Sequence, residues 1–479
     1  MNIRFNNILA LLCVITFNNK IIASESLILE ASSIVQPEAV IDSTSFNIVI
    51  LGYGGRAQTL LLECLKLQKE ANKNINVLAI CDDNAQEATE YYVKRLYKGE
   101  SEFAQNYDDV IKNTNFYPDT DDALKQLFKT HTNIDKVLII SENYKHYRHI
   151  DAILKYSSCR NIFMEKPLVR TLQEFDNLNP AIKEAKIDVG LTLRYSNMAR
   201  IIATELQNFK EKLGQLKHVK SWEHVNFGHA FVRIMMNWRK YISLSGGLLL
   251  EKSIHDLDLA LFLIKSLGIN FESISISTQA LHKKFKKSQQ NALLTEVLNN
   301  EELRNCAERW NNYVSKKILK FAYSDEDDID WPTTLDKFFE DFPEDDNFTN
   351  SDIIPDYQKL SAKIKTNDNN IIDYELEVDM SDLKTETNRG IYFEFENGQV
   401  EIDIMKSKMV ITVQADTPVE FDLQTKNNSH ADGDKYIAYA ILNALDPQQY
   451  NAAFNDDVVQ LASLMGLKSE QQALHTQVI

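Results

Sequence analysis

Residues 46–65, FNIVILGYGGRAQTLLLECL, constrain this chain more than any other stretch: a β-branched apolar run breaks at glycines and resumes as an apolar helix. Residues 47–51 suit a strand buried on both faces, the kind found in parallel sheets covered by helices. Gly52, Tyr53, Gly54, Gly55, Arg56 and Ala57 then fit G-x-G-x-x-A, in which each small residue has a task. Gly52 permits the tight turn and Gly54 lets the backbone approach a pyrophosphate. Ala57 lets the helix pack on the strand while its first N–H groups face phosphate charge. A second apolar run, residues 77–81, ends in Asp82, near the ~20-residue spacing at which a carboxylate meets a ribose 2′-hydroxyl. The bland alternative is an ordinary strand–helix–strand unit with a glycine turn, and the acid at this distance favours the nucleotide site.

At 479 residues the chain exceeds one ordinary core, so two domains plus insertions are expected. Its net charge of −17 argues against nucleic acid or an anionic membrane as the main partner and fits an enzyme acting on a small molecule. Lys283, Lys284, Lys286 and Lys287 form only a short basic cluster, read as a solvated face. At the N-terminus, Arg4 precedes residues 8–17, ILALLCVITF, which have the length of a signal-peptide core and are too short to span a bilayer. Residues 1–23 therefore read as a signal peptide, and cleavage near Ala23 exports a mature chain without a membrane span; an uncleaved chain is cytoplasmic. No twin-arginine signal is present, so an exported chain crosses unfolded and acquires any nucleotide afterwards. Cys64, Cys81, Cys159 and Cys306 are scattered without a C-x-x-C pair, the pattern of buried thiols rather than of a disulfide framework or a metal site.

Further apolar strands are expected at residues 134–140 and 161–164. The first runs into Ser141, Glu142, Asn143, Tyr144, Lys145 and His146, at the carboxyl edge where open α/β sheets bind ligands, so Ser141, Asn143 and His146 are candidate cofactor contacts. The second ends in Glu165-Lys166-Pro167, where proline stops the strand. Gly246 and Gly247 open a helix closed by Gly268, with Leu250, Ile254, Leu257, Leu261 and Ile264 as a buried stripe. Glu251 and His255 fall on an adjacent face as i, i+4 neighbours able to hydrogen-bond, and Lys252 with Asp256 reads as an ion pair. Residues 282–360 are expected to be an acidic insertion, helical over 293–319 and loop-like afterwards, serving as solvated decoration, with a lid or a subunit contact as the alternatives. Alternating strands are expected at 218–227, 273–281, 373–378, 390–395, 399–404 and 410–413, then helices at 435–445 and 456–465.

GYGGRA, Asp82, the Asn143 to His146 turn, Glu165-Lys166-Pro167, and Gly246-Gly247 followed by Glu251, His255, Asp256, Leu257 and Asp258 stand in the order seen in the Gfo/Idh/MocA oxidoreductases. From residue 46 onward the chain resembles that family. The resemblance implies an α/β fold: a Rossmann domain over residues 45–167, then to residue 479 a C-terminal α/β domain with an open, mostly antiparallel sheet, through which homo-oligomers often form. It implies NAD as cofactor, with NADP the alternative, and hydride transfer to or from a sugar, cyclitol or related polyol. In that reading Lys166 approaches the nicotinamide and the substrate oxygen, and His255 accepts the hydroxyl proton. Glu251 stands where the family usually has aspartate, and Glu165 joins the cofactor contacts. Arg194, on a strand through residues 190–195, and Lys252 are the substrate contacts. Residues 430–434, HADGD, resemble the family's H-x-G-x-D before a terminal helix. No metal is called for. Two other functions stay open within the resemblance: an NAD-using glycosidase, whose members commonly lack the lysine that Lys166 supplies, and a non-catalytic nucleotide-binding sensor.

Overall fold

The computed structural model describes residues 44–98, 103–182, 184–235, 237–313, 331–343, 352–414, 416–424, 432–444 and 456–475. The signal segment expected at residues 1–23, the acidic run 325–328, and His430 with Ala431 lie outside the described residues.

Six strands make the first sheet: β1 (Thr44–Leu51), β2 (Lys73–Cys81), β3 (Asn115–Tyr117), β4 (Lys136–Ile139), β5 (Asn161–Met164) and β6 (Lys186–Val189). All pair in parallel, in the order β3-β2-β1-β4-β5-β6. The period of two along β1 explains its unbroken apolar sequence. Phe46, Ile48 and Ile50 pack under the helix Gly55–Leu67, while Val49 and Leu51 face the opposite core. The strand order reverses between β1 and β4, so their carboxyl ends open a crevice, the usual ligand position of such sheets. The sheet runs past the boundary expected at residue 167, because β5 needs β6 on its outer edge and Met164 pairs with Val189. Residues 190–195 are not a strand: Gly190 and Leu191 turn into a short helix, Thr192–Tyr195.

The second sheet holds β7 (Leu216–His224), β8 (Phe271–Leu281), β9 (Tyr357–Thr366), β10 (Ile371–Asp379), β11 (Asn388–Phe395), β12 (Gly398–Asp403), β13 (Lys408–Val413) and β14 (Val419–Asp422). Its order is β14-β13-β12-β11-β7-β10-β9-β8, antiparallel except where β7 meets β10. One face of the sheet covers the helices Asn197–Leu213 and Ile254–Ser266 with Leu360, Ile364, Tyr374, Leu376 and Phe393. The other is polar, with Lys359–Glu375 and Lys363–Asp373 paired across strands at 2.9 and 2.8 Å. β9 begins inside the stretch assigned to the insertion.

The described part of that insertion is packed. Helices Gln290–Asn299, Glu301–Tyr313 and Trp331–Phe339 enclose a core of their own, in which Phe285, Leu293, Trp331, Phe338 and Phe342 pack against Phe227 and Phe231. Near the C-terminus, the helix Gly433–Ile441 lies on the helix Gly55–Leu67, with Ile437, Ala438 and Ile441 sharing a core with Leu60, Leu61 and Cys64. Beneath it the buried Lys136 Nζ donates to Ala440 O and to Asp188, both at 2.8 Å. The helix Asp456–His475 is longer than expected and packs along Ile254–Ser266 and β8. Among the described residues no helix is long and apolar enough to cross a membrane.

Candidate active site

An open cleft of about 360 Å³ runs from the crevice of the first sheet to the floor of the second. At its nucleotide end, Gly52 has φ +87°, and a Cβ there would sit 2.3 Å from Ser141 Cα, so only glycine lets β1 and β4 close together. Gly54 and Gly55 are different, since a Cβ on either would meet nothing within 4 Å. The backbone is open to a ligand on that side. The helix Gly55–Leu67 starts with no side-chain cap and no acid in its first turn, leaving its N–H groups for an anion. Ala57 is fully buried against the sheet. Asp82 stands at the end of β2 on the cleft, its carboxylate accepting from Tyr53 N and Asn84 N at 2.9 Å each. Uncapped helix, open glycines and terminal acid together fit a dinucleotide.

Tyr53 contributes its backbone, because its side chain is buried with the hydroxyl against that of Tyr107. Arg56 is held by Glu165 at 2.6 Å and by Asp434 at 2.7 Å, tying the phosphate loop to the strand-end motif and to the C-terminal segment. Ser141 has partners that the sequence reading missed: its Oγ is 3.0 Å from His149 Nδ1, and His149 Nε2 is 2.9 Å from Asp119. Burial lowers the pKa of His149 even against Asp119. The neutral tautomer that donates to Asp119 leaves Nδ1 to accept from Ser141, whose oxygen then faces the cleft as an acceptor.

Two expected contacts lie elsewhere. His146 is fully buried, with Nδ1 2.7 Å from Pro167 O and Nε2 3.2 Å from Ser141 O, and burial lowers its pKa. It fixes two turns of the cleft wall and does not face a cofactor. Arg194 is closed off entirely: it makes a two-pronged pair with Asp258, both side chains having no exposure, so it is a core ion pair and not a substrate contact. With residues 190–195 turned into a helix, the arginine points behind the wall.

The catalytic candidates do share the cleft. Lys166, which precedes a cis bond to Pro167, donates through Nζ to the main-chain oxygen of Glu251 and lies 3.6 Å from its Oε2. Burial lowers the lysine pKa, with Glu251 opposing. Asn143 reaches across to donate to Ser245 O at 2.8 Å and to Glu251 Oε2 at 2.9 Å, and Arg239 Nε donates to Glu251 Oε1 at 2.8 Å. His255 and Lys252 line the same wall. The expected Lys252–Asp256 pair is replaced, because the chain over Leu249–Ser253 is a π-helix and its wider turn re-aims the side chains. Lys252 pairs with Glu223 at 2.8 Å, and Asp256 with Arg389 at 2.7 Å. Burial raises the Asp256 pKa to about 6 despite Arg389, whereas at Glu223 the cations Arg389 and Lys252 outweigh burial and lower it.

Glu470 of the last helix secures this segment. Its Oε1 accepts Leu249 N at 2.6 Å, and its carboxyl group fills the space where a Cβ on Gly247, φ +111°, would fall. His229, Trp238, Arg239 and Arg389 also line the cleft and were not singled out as site residues. His229 opens a second π-helix, His229–Met235, and stacks on Trp310 of the insertion with ring centroids 4.4 Å apart. A hint existed only for Arg239, in the Trp238-Arg239 pair just ahead of the double glycine. Among the described residues no group of three or more metal-binding side chains occurs.

Residues 46–192 match a family model described as oxidoreductase family, NAD-binding Rossmann fold, and residues 209–294 match the family's C-terminal alpha/beta domain. Among solved structures, the chain is similar to levoglucosan dehydrogenase in complex with NADH and levoglucosan, at TM-score 0.55 and 13% identity over 91% of this chain and 98% of that one. It is similar to an oxidoreductase domain protein from Kribbella flavida at TM-score 0.56 and 12% identity, covering 90% and 98%. It is also similar to the transcriptional regulator Gal80p from Kluyveromyces lactis at TM-score 0.54 and 12% identity, covering 91% and 92%. No curated protein matches. At these identities the solved structures speak for the fold alone. The two matched domains, in sequence order on this architecture, place the chain in the Gfo/Idh/MocA oxidoreductase family, with an NAD-binding Rossmann domain at its head.

Proposed function

We propose that the protein transfers a hydride between a nicotinamide cofactor, NAD in preference to NADP, and the carbinol carbon of a sugar or related polyol. The observation that carries this is the meeting of Lys166 with Glu251 at the junction of the two domains, on the cleft that His255 and the glycine loop also line. When bound, the nicotinamide supplies the site that gives or takes the hydride. Lys166 directs its N–H groups at the oxygen where alkoxide charge develops, and His255 takes the hydroxyl proton. Glu251, engaged by Arg239 and Asn143, fixes the wall against which Lys166 lies. Asp82 accepts from ribose hydroxyls and repels a 2′-phosphate. Arg56 does not offset that repulsion, since Glu165 and Asp434 already balance its charge.

The fold shared with levoglucosan dehydrogenase supports a sugar as substrate class. The fold shared with Gal80p keeps one rival in play, a sensor without turnover. Export after cleavage of residues 1–23, and a homo-oligomer formed through the polar face of the second sheet, belong to the same proposal. The deciding experiment screens sugars and polyols for NADH formation, and the matching ketones for NADH consumption. Lys166→Met is expected to lower turnover by about 10²–10³ and His255→Ala by about 10²–10⁴, with the double variant losing much less than the product. A substrate whose turnover survives both changes removes these roles. Ligand binding without turnover on any compound is the result the sensor reading expects.

A further inference from the structure

We infer that Arg239, seconded by Lys252, is the receptor for an anionic substituent, so that the substrate is a sugar acid or sugar phosphate rather than a neutral sugar. This rests on the hydride-transfer reading above. The Arg239 guanidinium lies 4.5 Å over the Trp238 ring, and its Nε donates to Glu251 Oε1 at 2.8 Å. These contacts set the plane of the group and use one of its five N–H donors. Among the described residues no hydrogen bond is made by either Nη atom, and the side chain lines the cleft with 20% of its surface exposed. A stacked guanidinium with its outer edge open presents two donors to a carboxylate or phosphate in a fixed fork.

The charges around it point the same way. On the side of the cleft nearer the second sheet, Arg239, Lys252 and Arg389 are paired with Glu251, Glu223 and Asp256, and Lys166 feels both Glu251 and Glu165. Of the three paired carboxylates only Glu251 lines the cleft, since Glu223 and Asp256 lie behind the wall with side-chain exposures of 1% and 0%. This end of the cleft therefore presents its cations to a ligand while two of their partner carboxylates are turned away from it. Repulsion from Arg239 and Lys252 also adds to burial in lowering the Lys166 pKa.

The test is calorimetric titration of the full chain, loaded with NADH, using matched sets: a hexose, its uronate and its 6-phosphate, in the gluco, galacto and manno series. The expected result is that an anionic member binds at least about tenfold more tightly than its neutral parent. The uronate and phosphate arms tell which anion is meant. Arg239→Met should cost the anionic member about 10- to 100-fold more than it costs the neutral parent, while Arg239→Lys restores part of the loss. Lys252→Met, which does not touch Glu251, should weaken the same member by a smaller factor. Neutral parents that bind as tightly as their anions, no anion binding below about 10 mM, or a preference that persists in Arg239→Met each overturn the proposal. Tight anion binding without hydride transfer sinks the dehydrogenase reading and spares this one. Turnover of a neutral sugar with no preference for anions does the reverse.

Discussion

Glu470→Gln probes how the last helix steadies the catalytic segment. Glu470 is 6% exposed, and burial raises its pKa to about 8, the bonds from Leu249 N and its neighbours offsetting only part of that cost. In the unfolded chain the same carboxyl titrates near 4.5. The folded state therefore holds this proton more tightly between those values. Its contribution to stability is complete below about pH 4.5 and is lost as pH rises through about 8. At about 1.36 kcal/mol per pH unit, the full swing is on the order of 5 kcal/mol. Glutamine keeps an acceptor for Leu249 N and has no proton to lose, so the variant escapes the swing. Urea unfolding of both proteins, followed by tryptophan fluorescence from about pH 5 to about pH 9, should show the wild type losing several kcal/mol relative to the variant. Parallel stability curves across that range would refute the argument, because a carboxyl that titrates alike in both states cannot produce a difference.

Three shorter expectations follow from other parts of the molecule. Titration should give NAD tighter than NADP, with Asp82→Ser narrowing the gap; NADP binding about tenfold more tightly to the wild type would show Asp82 misassigned. Arg194→Ala strands Asp258 in the core and should cost about 3–5 kcal/mol of stability with dinucleotide affinity intact. A stable variant that loses substrate affinity instead would return Arg194 to the substrate site. N-terminal sequencing of protein from its native host should begin near Ser24, and an intact Met1 on cytosolic protein would remove the export reading.

The parts of the fold legible in the sequence are those written by local chemistry. A doubly buried strand must be apolar throughout, a tight turn against β4 must be Gly52, and a half-buried sheet must alternate, so β1, β2, β4, β5 and most of the second sheet could be read directly. Lys166, Glu251 and His255 were legible as a set only through the resemblance, since nothing local says that residues some ninety positions apart share a cleft. Arg194 shows the limit from the other side. An arginine beside an apolar run looks like a surface or site residue until a partner such as Asp258 is known to be buried with it. The π-helical turn at Leu249–Ser253 has no signature in a stripe that repeats well at α-helical spacing, which is why Lys252 and Asp256 were paired with each other. In the insertion, acidic residues outnumber basic ones while Phe338, Phe339 and Phe342 turn inward, and charge alone hides such a core.

The clasp between Arg56 and Asp434, and the helix Gly433–Ile441 that lies on the first helix of the chain, have a consequence for biosynthesis. The last strand of the first sheet ends at Val189, but the helix Gly55–Leu67 gains its outer cover only when residues 433–441 emerge. At about 5–20 residues per second, the ribosome takes on the order of 10–50 s to make the stretch between them. Throughout that interval a nascent nucleotide-binding half lacks that cover, and its Arg56 waits for an Asp434 that has still to be synthesised. The clasp on the phosphate loop is thus closed only in chains that have been made as far as Asp434.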